Sequence, residues 1–137
     1  MKTIRLTSTH ELDLPDDLNE QRDIQLSSFW RASEPLLLQV SSYVRSEGSQ
    51  VPAKQRLKER IEKMGGSWHK SNIRLHPDLS LDQAVAETID PNGVAWMHAY
   101  FVWPHLAVYA TVSGPPECLA DENWAVNALR TLRLVIQ

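Results

Sequence analysis

Five histidines are the residues of this chain best suited to bind a metal ion or carry protons: His10, His69, His76, His98 and His105. A zinc site needs three or four converging ligands. No two of these histidines are four residues apart on a predicted helix, and the lone cysteine, Cys118, is close to none of them in sequence. We therefore interpret each histidine as a structural or surface residue and expect neither a metal site nor a cofactor.

Cysteine and carboxylate chemistry has equally little support. Cys118 follows Gly114-Pro115-Pro116 in a predicted loop, and a nucleophilic thiol needs an electropositive environment, so we interpret it as a structural thiol. The carboxylates that are neighbours in sequence lie at predicted turns or helix starts, where they serve as caps or solubilising charges: Asp16-Asp17, Glu87 with Asp90, and Asp121-Glu122. The sequence contains no nucleophile elbow, phosphate-binding loop or dinucleotide fingerprint. No catalytic residue is predicted.

Tryptophan is the remaining residue type that stands out, with five copies in 137 residues. Core packing is the competing interpretation of each one, but tryptophan is also enriched among the residues that dominate protein interfaces. Phe29-Trp30 and Trp103-Pro104 both fall at predicted strand ends, where a rigid aromatic rim could face solvent. We predict that Phe29, Trp30 and Trp103 bind another protein.

Length and composition favour a single domain over residues 1–137, with 42% apolar residues and a net charge of −3. Nucleic-acid binding requires a basic surface, so we expect no nucleic-acid partner. The first fourteen residues, MKTIRLTSTHELDL, lack the apolar core of a signal peptide. No apolar run approaches the roughly 20 residues of a membrane span. We expect a cytoplasmic protein without a membrane span.

Alternation of side chains predicts the strands. Residues 84–112 read as three successive strands, the first two joined by the turn Asp90-Pro91-Asn92-Gly93. Residues 36–44 alternate with a period of two and predict a long strand. Residues 23–29 predict a strand that leads through a turn at 30–35 into it, and residues 4–14 alternate weakly. Both faces of residues 94–103 are apolar or aromatic, as expected for a strand covered on both sides.

Two helices are predicted from apolar stripes. The first stripe consists of Ala53, Leu57, Ile61 and Met64 and ends at Gly65-Gly66. Its opposite, solvated face carries Lys54, Arg56, Glu59, Arg60 and Lys63. The second consists of Trp124, Ala128, Leu129 and Leu132, with Asp121 as the predicted N-cap. The pattern predicts an α+β fold, an antiparallel β-sheet flanked by two main helices.

This order of elements resembles the PsbP/DcrB-like superfamily. The resemblance is carried by residues 11–15, 35–44, 53–65, 84–114 and 127–134, the last reading NALRTLRL as a closing helix. It implies an αβα sandwich and a binding role, because the superfamily has no common active site. Its members include assembly factors, regulators of small GTPases, photosystem subunits and cytoplasmic adaptors that hold secretion-system effectors. The adaptors act as dimers, so the resemblance also implies a homodimer.

The expected function is therefore non-enzymatic protein binding, in the form of a cytoplasmic adaptor or chaperone for a secretion-system effector. Two alternatives stay open at the level of sequence. An immunity protein that blocks a toxin would suit the negative net charge. A hydrolase that uses Cys118 or a histidine would leave no motif recognised above.

Overall fold

The computed structural model describes residues 1–7, 9–44, 51–64, 70–71, 75–120 and 122–135. The elements found there, in chain order, are β1 (Lys2–Arg5), β2 (His10–Leu14), β3 (Asn19–Arg22), β4 (Leu26–Arg31), β5 (Glu34–Val44), α1 (Ala53–Lys63), β6 (Lys70–Ser71), β7 (Asp82–Ile89), β8 (Ala95–Val102), β9 (Leu106–Gly114), α2 (Pro116–Ala120), α3 (Trp124–Leu129) and β10 (Arg133–Leu134).

These strands form two antiparallel sheets. The larger sheet has seven strands in the order β3-β4-β5-β9-β8-β7-β6, and the smaller has three in the order β1-β2-β10. Every pair of strands described here is antiparallel. The predicted α+β class with antiparallel strands is thus confirmed, and the small sheet is an addition that the sequence pattern did not indicate.

The predicted three-stranded stretch corresponds to β7, β8 and β9. Its first turn is held by the Asp90 carboxylate, whose Oδ1 accepts backbone hydrogen bonds from Asn92 (2.9 Å) and Val94 (3.0 Å). Gly93 has a φ of 80°, a conformation that glycine adopts without steric cost. The side chain of Asp90 therefore organises the turn, and its position argues for a structural role.

The long predicted strand is β5, which pairs with β9 from Leu37 to Val44. The turn that leads into it is shorter than predicted. Trp30 and Arg31 still belong to β4, and only residues 32–33 connect β4 to β5. Strand β4 runs further than predicted because Trp30 still pairs with Leu37 of β5. The register becomes irregular only between Trp30 and Arg31.

The two faces of the large sheet bury different side chains. One face packs against β2 and α3 in a largely apolar core, which we call the first core; its larger members include Leu12, Leu14, Phe29, Leu38, Phe101 and Leu129. The other face carries α1, whose Ala53, Leu57 and Ile61 lie on β7 and β8 and are at most 1% exposed. These three confirm the predicted stripe. Met64 lies beyond the helix end and is 57% exposed.

The start of α1 is fixed by a partner in the sheet. The Asp82 carboxylate accepts a hydrogen bond from the backbone N–H of Ala53 at 3.0 Å, which satisfies one of the free donors of the first turn. Pro52 precedes the helix as its N-cap residue. The proposed stop at Gly65-Gly66 lies outside the described residues.

The C-terminal region departs most from prediction. Helix α3 ends at Leu129, and Arg133 and Leu134 pair with β2 as a short strand. The N-cap is Asn123, whose Oδ1 accepts from Val126 N at 2.9 Å, while the predicted cap Asp121 lies outside the described residues. Cys118 lies in the short helix α2, not in a loop. No helix within the described part of the chain is long and apolar enough to cross a bilayer.

The orientation of α1 can be tested by charge substitution. Leu57→Asp places an unpaired carboxylate under the helix and should lower the free energy of unfolding by about 3 kcal/mol or more. Lys58→Asp, on the exposed side of the same helix, should change it by less than about 1 kcal/mol. Urea unfolding measures both, and equal losses would show that the helix is rotated from this position.

Candidate functional site

The face of the large sheet that carries α1 has an apolar cluster beneath the helix and most of the buried polar side chains, and we call it the polar face. It is formed by alternate side chains of five strands, and one row across it joins Ser28, Gln39, Thr111 and His98. Of the six buried polar residues in the described structure, four lie here: Thr88, His98, Thr111 and Ser113. Buried polar groups in folded proteins are almost always hydrogen-bonded. The hydrogen-bond partners of these residues therefore decide which of their atoms are left for a ligand.

His98 is the centre of a closed hydrogen-bond chain. It is fully buried; its Nδ1 lies 2.7 Å from the Tyr109 hydroxyl and its Nε2 lies 3.0 Å from Thr88 Oγ1. Both ring nitrogens thus have a partner in either neutral tautomer. Burial, helped by the positive charge of Arg60, lowers the pKa of His98 to about 4. The ring is neutral at physiological pH and needs no further ligand.

Arg60 joins α1 to this chain. Its guanidinium carbon lies 4.0 Å from the centre of the Tyr109 ring, and its Nη1 donates to the Tyr100 hydroxyl at 3.4 Å. Burial raises the pKa of Tyr109 to about 12, so that phenol stays neutral. Arg60 is therefore held by the neutral Tyr109 ring and the Tyr100 hydroxyl and retains its full charge.

A groove lies beside α1, with Tyr100 as the sheet residue that lines it. Its volume is about 880 Å³, and its walls are Arg56, Glu59, Arg60, Glu62, Lys63, Met64 and Tyr100. Arg56, Arg60 and Lys63 recur at steps of four and three and so lie on one flank of the helix. The groove is a polar channel with an aromatic floor.

Next to the groove, the polar face is only partly covered. Seven side chains of β4 and β5 on this face are half-buried, and we call them the open strip: Leu26, Ser28, Trp30, Leu37, Gln39, Ser41 and Tyr43. Arg60, in the wall of the groove, covers Tyr109, and Ser41 pairs with Tyr109 in the strand register, so the open strip lies close to the groove. Apolar and hydrogen-bonding side chains are mixed along it, and the backbone beneath them is held by both neighbouring strands.

The predicted aromatic rim does not exist as one surface. Phe29 is 1% exposed and belongs to the first core; it cannot contact a partner in this fold. Trp30, its neighbour, points to the opposite face and lies on the open strip, because successive residues of a strand alternate between faces. Trp103 packs against the first core and follows the far end of β8, whereas Trp30 is in register with the near end.

The other histidines are dispersed. His10 is fully buried, with its ring 4.8 Å from that of Trp103, and its Nε2 has no hydrogen-bond partner. His76 bonds the backbone oxygen of Leu132 at 2.7 Å, and His105 is exposed in a turn. His69 lies outside the described residues. Within those residues, no three side chains of histidine, cysteine, aspartate or glutamate converge as a metal site would require.

Several of the carboxylates considered as catalytic candidates form ion pairs in the structure, and the cysteine is partly buried. Asp16 pairs with the N-terminal amino group, and Asp17 pairs with Arg31. Glu122 pairs with Arg130 at 2.7 Å. Cys118 is half-buried. None of these groups is brought next to the His98 chain in the described structure.

Sequence reasoning missed Arg60, Tyr100, Tyr109 and Thr88 as members of a site. Arg60 was assigned to the solvated face of its helix, although it lies half-buried over Tyr109. A signal was present in β9, where Tyr109, Thr111 and Ser113 alternate with Val108, Ala110 and Val112. A strand with one polar and one apolar face, both buried, indicates a polar interior.

Comparison with known proteins shows the fold alone. No protein-family model matches the chain, and no curated protein matches its sequence. Among solved structures, a crystal structure from Bacteroides thetaiotaomicron VPI-5482 at 1.50 Å resolution is similar, with a TM-score of 0.64 and 14% sequence identity. The match covers 93% of this chain and 46% of that one, so this chain spans about half of its neighbour's length.

The two buried histidines should make the free energy of unfolding depend on pH. Burial lowers the pKa values of His10 and His98 from 6.5 to about 4. Between these values the unfolded chain binds more protons, so stability is full above about pH 6.5 and falls as the pH drops towards 4, by up to about 3 kcal/mol for each ring. Hydrogen bonds from arginine or tryptophan side chains lower the pKa values of Asp13, Asp17 and Asp90, so these carboxylates lose most of their contribution to stability at lower pH than the two histidines.

Urea unfolding at a series of pH values measures the effect. His98→Gln should reduce the slope between pH 6.5 and 4, because one of the two titrating rings is gone. His105→Gln, at an exposed position, should leave the slope unchanged. A wild-type stability that does not vary across this interval would contradict the buried, neutral state of both rings.

Proposed function

We propose that this protein is a non-enzymatic module that binds a segment of another protein on its polar face. The single observation that carries the proposal is the open strip. It presents partly exposed apolar side chains, among them Trp30 and Leu37, beside the hydrogen-bonding side chains of Ser28, Gln39 and Ser41. Mixed surfaces of this kind on a rigid backbone are typical of protein interfaces, in which a few aromatic anchors supply most of the affinity.

The state of the reactive groups supports a non-enzymatic role. A general base must reach the proton that it removes from a substrate. Both nitrogens of His98 are already bonded to Tyr109 and Thr88 inside the sheet, and the ring is fully buried. In the described structure, no hydrogen bond joins the Cys118 thiol to a histidine or an acid. The imidazole and the thiol are thus engaged or isolated, which favours binding over hydrolysis.

The finer form of the proposal follows the resemblance to the PsbP/DcrB-like superfamily. In that form the fold is an αβα sandwich, the protein is a cytoplasmic adaptor or chaperone that acts as a homodimer, and its partner is a secretion-system effector. The strand hairpin, α1 and the three-stranded stretch β7–β9 occur in the order expected for that superfamily. The support is one of element order, and the partner's identity must come from experiment.

The proposal predicts where a partner's affinity resides. A partner captured from source cells, identified and purified, should bind Trp30→Ala about 30-fold more weakly than wild type, a loss of about 2 kcal/mol. Isothermal titration calorimetry measures the affinity. Leu37→Ala on the neighbouring strand should also weaken binding. A loss of affinity in both variants would not be explained by a local effect of the Trp30 substitution on folding.

Ile89→Ala is the matched control. Ile89 is 51% exposed and lies in β7 on the face opposite the open strip, so its truncation should leave affinity unchanged. Melting curves of all variants are measured alongside. Equal affinities of wild type, Trp30→Ala and Leu37→Ala, with all three folded, would reject the polar face as the binding surface.

A further inference from the structure

The groove beside α1 carries an excess of positive charge. Arg60 is stacked on the Tyr109 ring and hydrogen-bonded to the Tyr100 hydroxyl, and it forms no ion pair with any residue that the structure describes. Arg56 and Lys63, one turn to either side, form no ion pair with any residue that the structure describes. These three cations lie along roughly 10 Å of helix, at a rise of about 1.5 Å per residue.

Two carboxylates also line the groove and offset part of its positive charge. Glu59 and Glu62 both line it, which leaves one positive charge in excess. Both glutamates are exposed, whereas Arg60 is half-buried against the aromatic floor. Because charge interactions are stronger where water is displaced, Arg60 attracts an anion at the floor more strongly than the exposed glutamates repel it.

The position of Arg60 is also fixed before any ligand arrives. The stacking on Tyr109 at 4.0 Å and the hydrogen bond to Tyr100 hold its guanidinium over the groove floor. A side chain that is already ordered loses little conformational entropy on binding. A planar guanidinium moreover binds a carboxylate through two parallel hydrogen bonds.

We propose that this groove binds an acidic, extended segment of the partner protein, with its carboxylates on Arg56, Arg60 and Lys63. The inference rests on the proposed function and adds the chemistry of the partner. A groove of about 880 Å³ is far larger than a single small anion. It also lies close to the open strip, because Arg60 in its wall covers Tyr109, which pairs with Ser41 of β5. A chain that follows α1 can therefore place carboxylates on the helix and its other side chains on Ser41 and Tyr43.

A peptide titration tests the proposal. The probe is a fluorescein-labelled peptide of alternating glutamate and leucine, compared with peptides in which glutamine or lysine replaces glutamate. Fluorescence anisotropy should show the glutamate peptide binding at least about tenfold more tightly than the glutamine peptide, and the lysine peptide more weakly still. The preference should shrink as salt is added, since salt screens exposed charges.

The variants locate the site. Arg56→Glu combined with Lys63→Glu should weaken the glutamate peptide at least about tenfold. The matched control is Lys54→Glu combined with Lys58→Glu, which changes net charge equally on the opposite flank of α1 and should leave affinity within about twofold. Arg60→Lys should bind more weakly than wild type, because lysine keeps the charge but loses the planar geometry.

Three results would overturn the inference: equal binding of the glutamate and glutamine peptides, equal losses in the two double variants, or displacement of the peptide by millimolar inorganic phosphate, which would indicate a small-anion site. Failure here is distinguishable from failure of the proposed function. A purified partner that depends on Trp30 and Leu37 but not on Arg56 and Lys63 would uphold the binding surface and reject the acidic segment.

Discussion

Strand β9 is hydrogen-bonded along its length to β5 on one side and β8 on the other, and this double pairing determines which side chains face which way. Side chains of a strand alternate with a period of two, so a slip of one residue would exchange the two faces completely. In the observed register Val108 and Val112 enter the first core, while Tyr109 and Thr111 enter the polar face. The buried apolar set on one face therefore fixes the position of every polar group on the other.

The polar face has an energetic cost that its internal hydrogen bonds offset. An unsatisfied buried polar group costs about 1–3 kcal/mol, yet His98 has partners at both nitrogens, on β7 and on β9. The contrast is His10, which is equally buried but leaves its Nε2 without a partner beside Trp103. A sheet that buries hydroxyls, phenols and an imidazole at the edge of a groove gains little stability from them. We interpret these buried polar groups as a requirement of the proposed binding surface.

Sequence periodicity predicts an element correctly where burial alone produces the pattern. It fails where the element depends on pairing with residues that are distant in sequence. Residues 84–112, the strand at 36–44 and the stripe Ala53–Leu57–Ile61 are read correctly, because burial alone produces their patterns. The end of α3 is placed too late, because pairing of Arg133 and Leu134 with β2 overrides a helical pattern. The site is harder still. Phe29 and Trp30 look alike as neighbours in sequence, but only the strand register separates them into core and surface. The stacking of Arg60 on Tyr109 joins residues 49 positions apart, which no local pattern predicts.

The central claim is that the polar face, not the opposite side of the sheet, receives the partner, and site-specific photocrosslinking in source cells tests it most directly. A benzophenone amino acid would be placed at Ser41, on the open strip, and in a separate variant at Ile89, which is exposed on the opposite side. The account predicts one discrete crosslinked product from position 41 and none from position 89. A product from position 89 with none from position 41 would contradict it.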